Sequence, residues 1–426
     1  MTQPSIPSHP TSPTLKIAQM KPLFHFLVAT TLVTAAFGAP LAFSQTAVTA
    51  PIKLGMTAAL TGPFNEFGEG LRRGALIAIE EWNKKGGVNG RKVELAEMLD
   101  DQLMPDRAVQ NMRRILDNKD IVAVIAPAGS GPALATVDMV EADGRPMCNP
   151  MAQSPAITYP KGMSQPPRKN VFSTAVTNAA ESHRLAEVLS RTYKNVGVLN
   201  ESTAYGITGS ELVKKALEEV NSSVKVYGES YNQRSQDVTA QIVRLQRAGV
   251  DVVLVIGLGS DFAMIRKNLS RLNVNVPLFG SNGAVTVPYI EGAGDLALGT
   301  RSLSVPAFAQ RPMTETSQRF VDAYRATYGT DRWYGPDAAN PLISMAAIVG
   351  SGYDCANVLI DSIRRANSTE PAAVVRAIEQ TKDLPGVAIA AISLSPTQHD
   401  AFKPENLSEF LMVKRDGKVM LNLVSK

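Results

Sequence analysis

The residues best suited to chemistry in this chain are a serine framed by glycines. Gly129-Ser130-Gly131-Pro132 follows directly on the apolar run Ile121-Val122-Ala123-Val124-Ile125-Ala126. An uninterrupted run rich in Val and Ile predicts a strand buried on both faces of a parallel sheet, and the turn after it predicts the start of a helix. Such a turn places free backbone N–H groups and the Ser130 hydroxyl at the carboxyl edge of the sheet, where open α/β folds hold ligands. Ser130 is therefore a candidate donor to a small, anionic ligand. From this segment alone the competing reading is a serine that only caps its helix.

The remaining sequence offers binding groups and no reaction centre. Gly129-Ser130-Gly131 begins like a dinucleotide fingerprint, but Leu134 stands at the third glycine position and Pro132 occupies the loop. There is no phosphate-cradling Walker loop, no nucleophile elbow and no paired-cysteine zinc spacing. Asp100-Asp101 is a carboxylate pair, read more simply as the polar end of a strand than as an acid–base couple. Of four histidines, only His183 and His399 lie beyond residue 44, which argues against a histidine-rich metal site or a Ser-His-Asp hydrolase. The expectation is a protein that is not an enzyme and uses no cofactor.

The elements that must position Ser130 follow from length and pattern. A chain of 426 residues suggests two or three domains. Residues 1–44 contain no Asp or Glu, and a mostly apolar run from Leu23 to Phe43 follows Lys16 and Lys21 and ends at Ser44. That segment reads as a secretory signal peptide, with Met20 a second candidate start. Its removal takes the formal net charge from +4 to about +2, and nothing points to nucleic acid. Cys148 and Cys355 would then sit in an oxidising compartment, either as one disulfide or as two buried thiols.

Beyond the signal, strand and helix alternate. Strands are expected at Ile52–Met56, Val93–Leu99, from Ile121, and at Arg145–Asn149, with a loop at Thr61–Gly68 and helices from Gly70 and Pro105. The pattern restarts near Phe172, with strands at Asn195–Leu199, Val224–Tyr231, Val250–Gly257 and Val276–Gly280 and helices between them. Later come helices at Thr314–Tyr328, Ala338–Ala366 with a break near Gly350–Gly352, and Pro371–Thr381. Strands at Ala388–Leu394 and Glu409–Lys414 and a hairpin at Asp416-Gly417 close the chain. Alternation implies right-handed crossovers onto parallel sheets, and the restart implies two sheets with a cleft between them.

Several segments together carry a resemblance. Leu60-Thr61-Gly62-Pro63, Phe67-Gly68, Gly74-Ala75, Gly86-Gly87-Val88-Asn89-Gly90-Arg91 and Asp100-Asp101 occur in this order. Asn149-Pro150-Met151-Ala152-Gln153-Ser154-Pro155, Ala204-Tyr205-Gly206, Gly280-Ser281-Asn282-Gly283 and Gly352-Tyr353-Asp354 follow them. The chain resembles type I periplasmic solute-binding proteins of ABC importers, in the leucine/isoleucine/valine-binding group. The resemblance implies an α/β fold of two Rossmann-like lobes joined by three hinge segments, near Ser173, Val305 and Ser395. Lobe one would comprise residues 50–173 and 306–392, lobe two 174–305 and 405–426, and the third hinge segment 393–404.

What the resemblance implies for the site is a ligand carboxylate held by Ser130 and Gln153, with main-chain groups around Met151 and Ala152. Gln153 replaces the usual threonine, Phe67 lines the side-chain pocket in place of a tyrosine, Tyr205 is the lobe-two aromatic, and Leu258 stands where another tyrosine is common. Asn282 occupies the position of the carboxylate that meets an amino-acid ammonium group. A buried ammonium without a partner is costly, so the amide points to a ligand without an amino group unless Asp261 or Glu201 supplies the charge. The family's amino-terminal disulfide is absent, since Leu103 and Gly129 fall at those positions. The implied function is an extracytoplasmic receptor in the periplasm for a small carboxylate, either an aromatic or aliphatic organic acid or a branched-chain amino acid. Its partner would be an ABC transporter permease, and the mixed charge is compatible with a monomer. The alternative is a ligand-sensing subunit of a signalling or regulatory system.

Overall fold

The computed structural model describes residues 50–330 and 345–425; the expected signal peptide and the 338–344 start of the expected long helix lie outside them. Strand and helix alternate as β1 (Ile52–Ala58), α1 (Asn65–Lys84), β2 (Val93–Asp100), α2 (Pro105–Asp117), β3 (Ile121–Ile125), α3 (Ser130–Asp143), β4 (Met147–Asn149) and β5 (Val171–Ser173). These five strands form one sheet, β2-β1-β3-β4-β5, with every pairing parallel. The pattern then repeats with α4 (Asn178–Leu189), β6 (Asn195–Glu201), α5 (Ala204–Val220), β7 (Lys225–Tyr231) and α6 (Thr239–Arg247). It continues with β8 (Val252–Ile256), α7 (Gly259–Arg271), β9 (Leu278–Gly280), α8 (Val287–Ala293) and β10 (Arg301–Ser304).

Helices α9 (Glu315–Tyr328), α10 (Ala346–Ala366) and α11 (Pro371–Glu379) follow, then a two-strand ribbon of β11 (Leu384–Pro385) and β12 (Ala391–Ile392). The hairpin β13 (Ser408–Arg415) and β14 (Lys418–Ser425) completes a second sheet, β14-β13-β10-β9-β8-β6-β7. That sheet is parallel from β7 to β10 and antiparallel through β13 and β14. The chain leaves the first sheet after β5, returns after β10 to pack α10 on α1, and crosses again between β12 and β13. The chain thus passes between the two sheets three times.

Local chemistry sets the helix ends. Pro105 opens α2, where its missing N–H has no intrahelical partner to lose. Thr177 and Thr314 cap α4 and α9 by accepting from Ala180 N at 3.2 Å and Ser317 N at 3.1 Å. Gly144, at φ 89°, ends α3 in the left-handed region.

Three expectations need correction. Helix α1 starts at Asn65, so Phe67 lies on its first turn and not in a loop. Helix α10 runs unbroken through Gly350–Gly352. Its glycines serve close packing: a Cβ at Gly352 would lie 2.5 Å from Leu71 O, and one at Gly74 of α1 would lie 2.0 Å from Val349 O. Residues 388–394 form no full strand, only the two-residue β12.

The first and third crossings are bonded to each other. Ser173 N donates to His399 O at 2.8 Å and Ala401 N to Ser173 O at 2.9 Å. His399 stacks on Phe172 with ring centroids 4.1 Å apart, and burial holds its pKa below the ordinary value. Cys148 on β4 and Cys355 on α10 form a disulfide with Cα atoms 5.6 Å apart, which resolves the two alternatives left open by the sequence.

Candidate ligand-binding site

Parallel sheets collect ligand-facing residues at the carboxyl ends of their strands. Both sheets use that edge. After β1 comes Phe67, after β3 Ser130, and after β4 Met151, Ala152 and Gln153; on the second sheet Tyr205 follows β6, Leu258 follows β8 and Asn282 follows β9. All of these residues line one cavity of about 190 Å³. Its wall is mostly apolar, with Leu103, Pro132, Val176 and Ile348 completing it, and among the described residues no charged side chain lines it.

Ser130 is buried at the first turn of α3, and its hydroxyl caps nothing in its own helix. Its Oγ instead accepts from Gln153 N at 3.1 Å and Ser154 N at 3.2 Å. A hydroxyl has two acceptor sites and one proton, so with both acceptors engaged the O–H is left to donate. The N–H groups of Ser130 and Gly131 have no acceptor within the helix, and the helix dipole adds positive potential there. Together these form a neutral anion cradle.

The loop 150–154 is fixed by a residue that the sequence did not single out. Asn149 Oδ1 accepts from Ala152 N at 2.9 Å and Met151 N at 3.3 Å, and its Nδ2 donates to Ala152 O at 2.7 Å. The main-chain N–H groups of Met151 and Ala152 donate to Asn149 in this structure, and both residues line the cavity. Gln153 Oε1 is buried and meets no donor among the described residues. An unsatisfied buried acceptor costs about 1–3 kcal/mol, so the orientation of this amide is one a ligand can set.

On the opposite wall, Tyr205 donates to Ser281 Oγ at 2.8 Å, and burial pushes its pKa well up. Asn282 is anchored twice: its N–H donates to Glu181 Oε1 at 2.5 Å and its Oδ1 accepts from Ser304 Oγ at 2.9 Å. Glu181 is fully buried behind the wall, and burial raises its pKa to about 7. Thr203 and Gln233 also line the cavity. The sequence signal for Thr203 and Gln233 was their place just after β6 and β7 of the second sheet.

The acids considered as partners for an ammonium group hold other groups. Glu201 caps α5, accepting from Thr203 N at 2.6 Å, Thr203 Oγ1 at 2.5 Å and Gly206 N at 2.8 Å. Asp261 accepts from Tyr231 Oη at 3.1 Å, and burial raises its pKa to about 6. Neither lines the cavity. Asp100 and Asp101 are the polar strand end expected of them, holding Leu60 N at 2.8 Å and Leu103 N at 2.8 Å. Leu103 does lie against Gly129, since a Cβ there would sit 2.7 Å from Leu103 Cδ1. Among the described residues no cluster of His, Cys, Asp or Glu is arranged for a metal, and no helix is long and apolar enough to cross a membrane.

Comparison with known proteins agrees with this architecture. A family model described as periplasmic binding protein matches residues 51–417. The Leu/Ile/Val-binding protein BraC3 of Rhizobium johnstonii is 28% identical over 368 residues, covering 85% of this chain and 92% of that protein. The leucine-, isoleucine-, valine-, threonine- and alanine-binding protein of Pseudomonas aeruginosa is 27% identical, covering 77% of this chain and 82% of its own. A crystal structure of a periplasmic binding protein type 1 from Bordetella pertussis Tohama I is 51% identical, with a TM-score of 0.85, covering 88% of this chain and all of that one. The chain belongs to the periplasmic binding protein family. It is a solute-binding protein and not an enzyme, of the class whose members serve ABC transporters.

Proposed function

We propose that this protein is the periplasmic receptor of an ABC importer for a small organic acid without an α-amino group, bound between lobes 50–173 plus 306–392 and 174–305 plus 405–426. The carrying observation is the Ser130 hydroxyl, which accepts from two backbone N–H groups and so keeps its proton for a ligand at the α3 N-terminus. A carboxylate suits that cradle. Phe67, Leu258 and Tyr205 would pack the apolar part, and residues 393–404 would act as the third hinge. Closure would bury the ligand and present both lobes to the permease.

The Rhizobium johnstonii and Pseudomonas aeruginosa relatives are named for binding leucine and similar amino acids, whose ammonium group needs an acid once buried. Here the opposing polar group is a neutral amide, held by Ser304 Oγ donating to its oxygen, and it carries no charge to pair an ammonium group. A thermal-shift panel on the ligand-stripped mature protein tests the reading. A true ligand at about 100 times its Kd should add roughly 2.7 kcal/mol of stability. Organic acids should raise the melting temperature and leucine, isoleucine and valine should not; the reverse result rejects the proposal.

A further inference from the structure

Three acids stand behind the part of the cavity wall that the second sheet supplies. Glu181, Glu201 and Asp261 are 2%, 0% and 3% exposed. Glu181 holds Asn282 N, Glu201 holds Thr203 N, and Asp261 sits on the first turn of α7, just after Leu258. Their hydrogen-bond partners are neutral: backbone N–H groups and the hydroxyls of Thr203 and Tyr231. Their field reaches the wall, since Glu181 and Glu201 add to burial in pushing up the pKa of Tyr205, which lines the cavity. The starts of α5 and α7, which would otherwise attract an anion, thus already have acids of the protein beside them. Arg234 is next to Gln233 in the chain but does not line the cavity, and its guanidinium lies over the Phe64 ring.

We infer that the site selects by charge number and takes monoanions only: one carboxylate, with no second anionic group on the ligand. The inference rests on the reading that the carboxylate lies at Ser130. That group has the Ser130 O–H and the start of α3, which carries no acid in its first turn. A second carboxylate would enter a cavity that has no charged lining among the described residues, and would face the field of three buried acids. Stripping such a charge of water without a partner is costly. A hydrocarbon in its place suits the apolar wall, and a neutral amide brings no charge to it. Dicarboxylates and phosphate esters are therefore rejected by charge.

Isothermal titration of the ligand-stripped mature protein tests this at about pH 8, above the pKa values of about 7 and about 6 that burial gives Glu181 and Asp261. Each dicarboxylate is set against two monoanions on the same carbon skeleton: terephthalate against 4-methylbenzoate and 4-carbamoylbenzoate, and adipate against hexanoate and 6-amino-6-oxohexanoate. In a set that binds, the tighter monoanion should exceed the dicarboxylate by at least about a hundredfold in affinity. Glu201→Gln keeps an acceptor at the start of α5 and removes one charge, so it should narrow that ratio by at least about threefold. A dicarboxylate that binds as tightly as its monoanions overturns the inference while the carboxylate reading stands; its second carboxylate would then be met at the first turn of α10, where Ala347 and Ile348 line the cavity. A ratio unchanged by Glu201→Gln overturns the assignment of the selectivity to the buried acids. Binding of none of the six acids overturns both the inference and the reading beneath it.

Discussion

Ser130→Ala separates two jobs done by one oxygen. In the folded protein Ser130 Oγ accepts from Gln153 N and Ser154 N at 3.1 and 3.2 Å, in a site that is only 3% exposed. Removing it leaves two buried N–H groups without partners, at about 1–3 kcal/mol each, so unliganded stability should fall by about 2–6 kcal/mol. The same change removes a hydrogen bond to a charged ligand group, worth about 1.5–3 kcal/mol, or roughly 10- to 150-fold in Kd. Urea unfolding of the stripped protein reads the first effect and calorimetric titration of the ligand the second. Lost stability with unchanged affinity would refute Ser130 as a carboxylate donor. Lost affinity with unchanged stability would refute its role as the anchor of the 150–154 loop.

Other expectations follow from single contacts. The Arg234 guanidinium lies 5.2 Å over the Phe64 ring, joining the loop after β7 to the approach of α1; an exposed cation–π contact of about 0.5–1 kcal/mol predicts a two- to fivefold faster ligand release in Arg234→Ala by stopped flow. The Cys148–Cys355 disulfide closes a sequence separation of 207, so Cys148→Ala/Cys355→Ala should lose about 2–5 kcal/mol in urea. Burial raises Glu181 and Asp400 to about 7 and Asp101 to about 6. Stability from such raised acids is full below their unfolded pKa near 4 and is lost as pH rises through 6 to 7, so the melting temperature should be higher at about pH 5 than at about pH 8. Asp143, held low by its hydrogen bond from Arg145, acts in the opposite sense and loses its contribution as pH falls below about 4. Glu181→Gln should flatten the fall between pH 5 and 8.

The alternation of strand and helix was legible because buried parallel strands leave continuous apolar runs, as at Ile121–Ile125, and their crossover helices leave stripes, as in α2. The turn at Ser130 was legible for the same reason: it follows such a run. What escaped were contacts formed through space. Ser304 reaches Asn282 from 22 residues away and Glu181 from 101, separations that no spacing rule links. The break assigned at Gly350–Gly352 failed because glycine marks both helix ends and close helix crossings; α10 is buried continuously from Ala346 to Ile363, which leaves no stripe to distinguish them. α8 and β10, of 7 and 4 residues, are too short for periodicity to register.

The central claim is that this cavity takes a carboxylate and has no provision for an α-ammonium group. Competition calorimetry with two pairs that differ only in that group tests it most directly: leucine against 4-methylpentanoate, and tyrosine against 3-(4-hydroxyphenyl)propanoate. The account predicts tighter binding of the deaminated member, with Asn282→Asp moving the preference toward the amino acid. Tighter binding of leucine or tyrosine by the unaltered protein would contradict it.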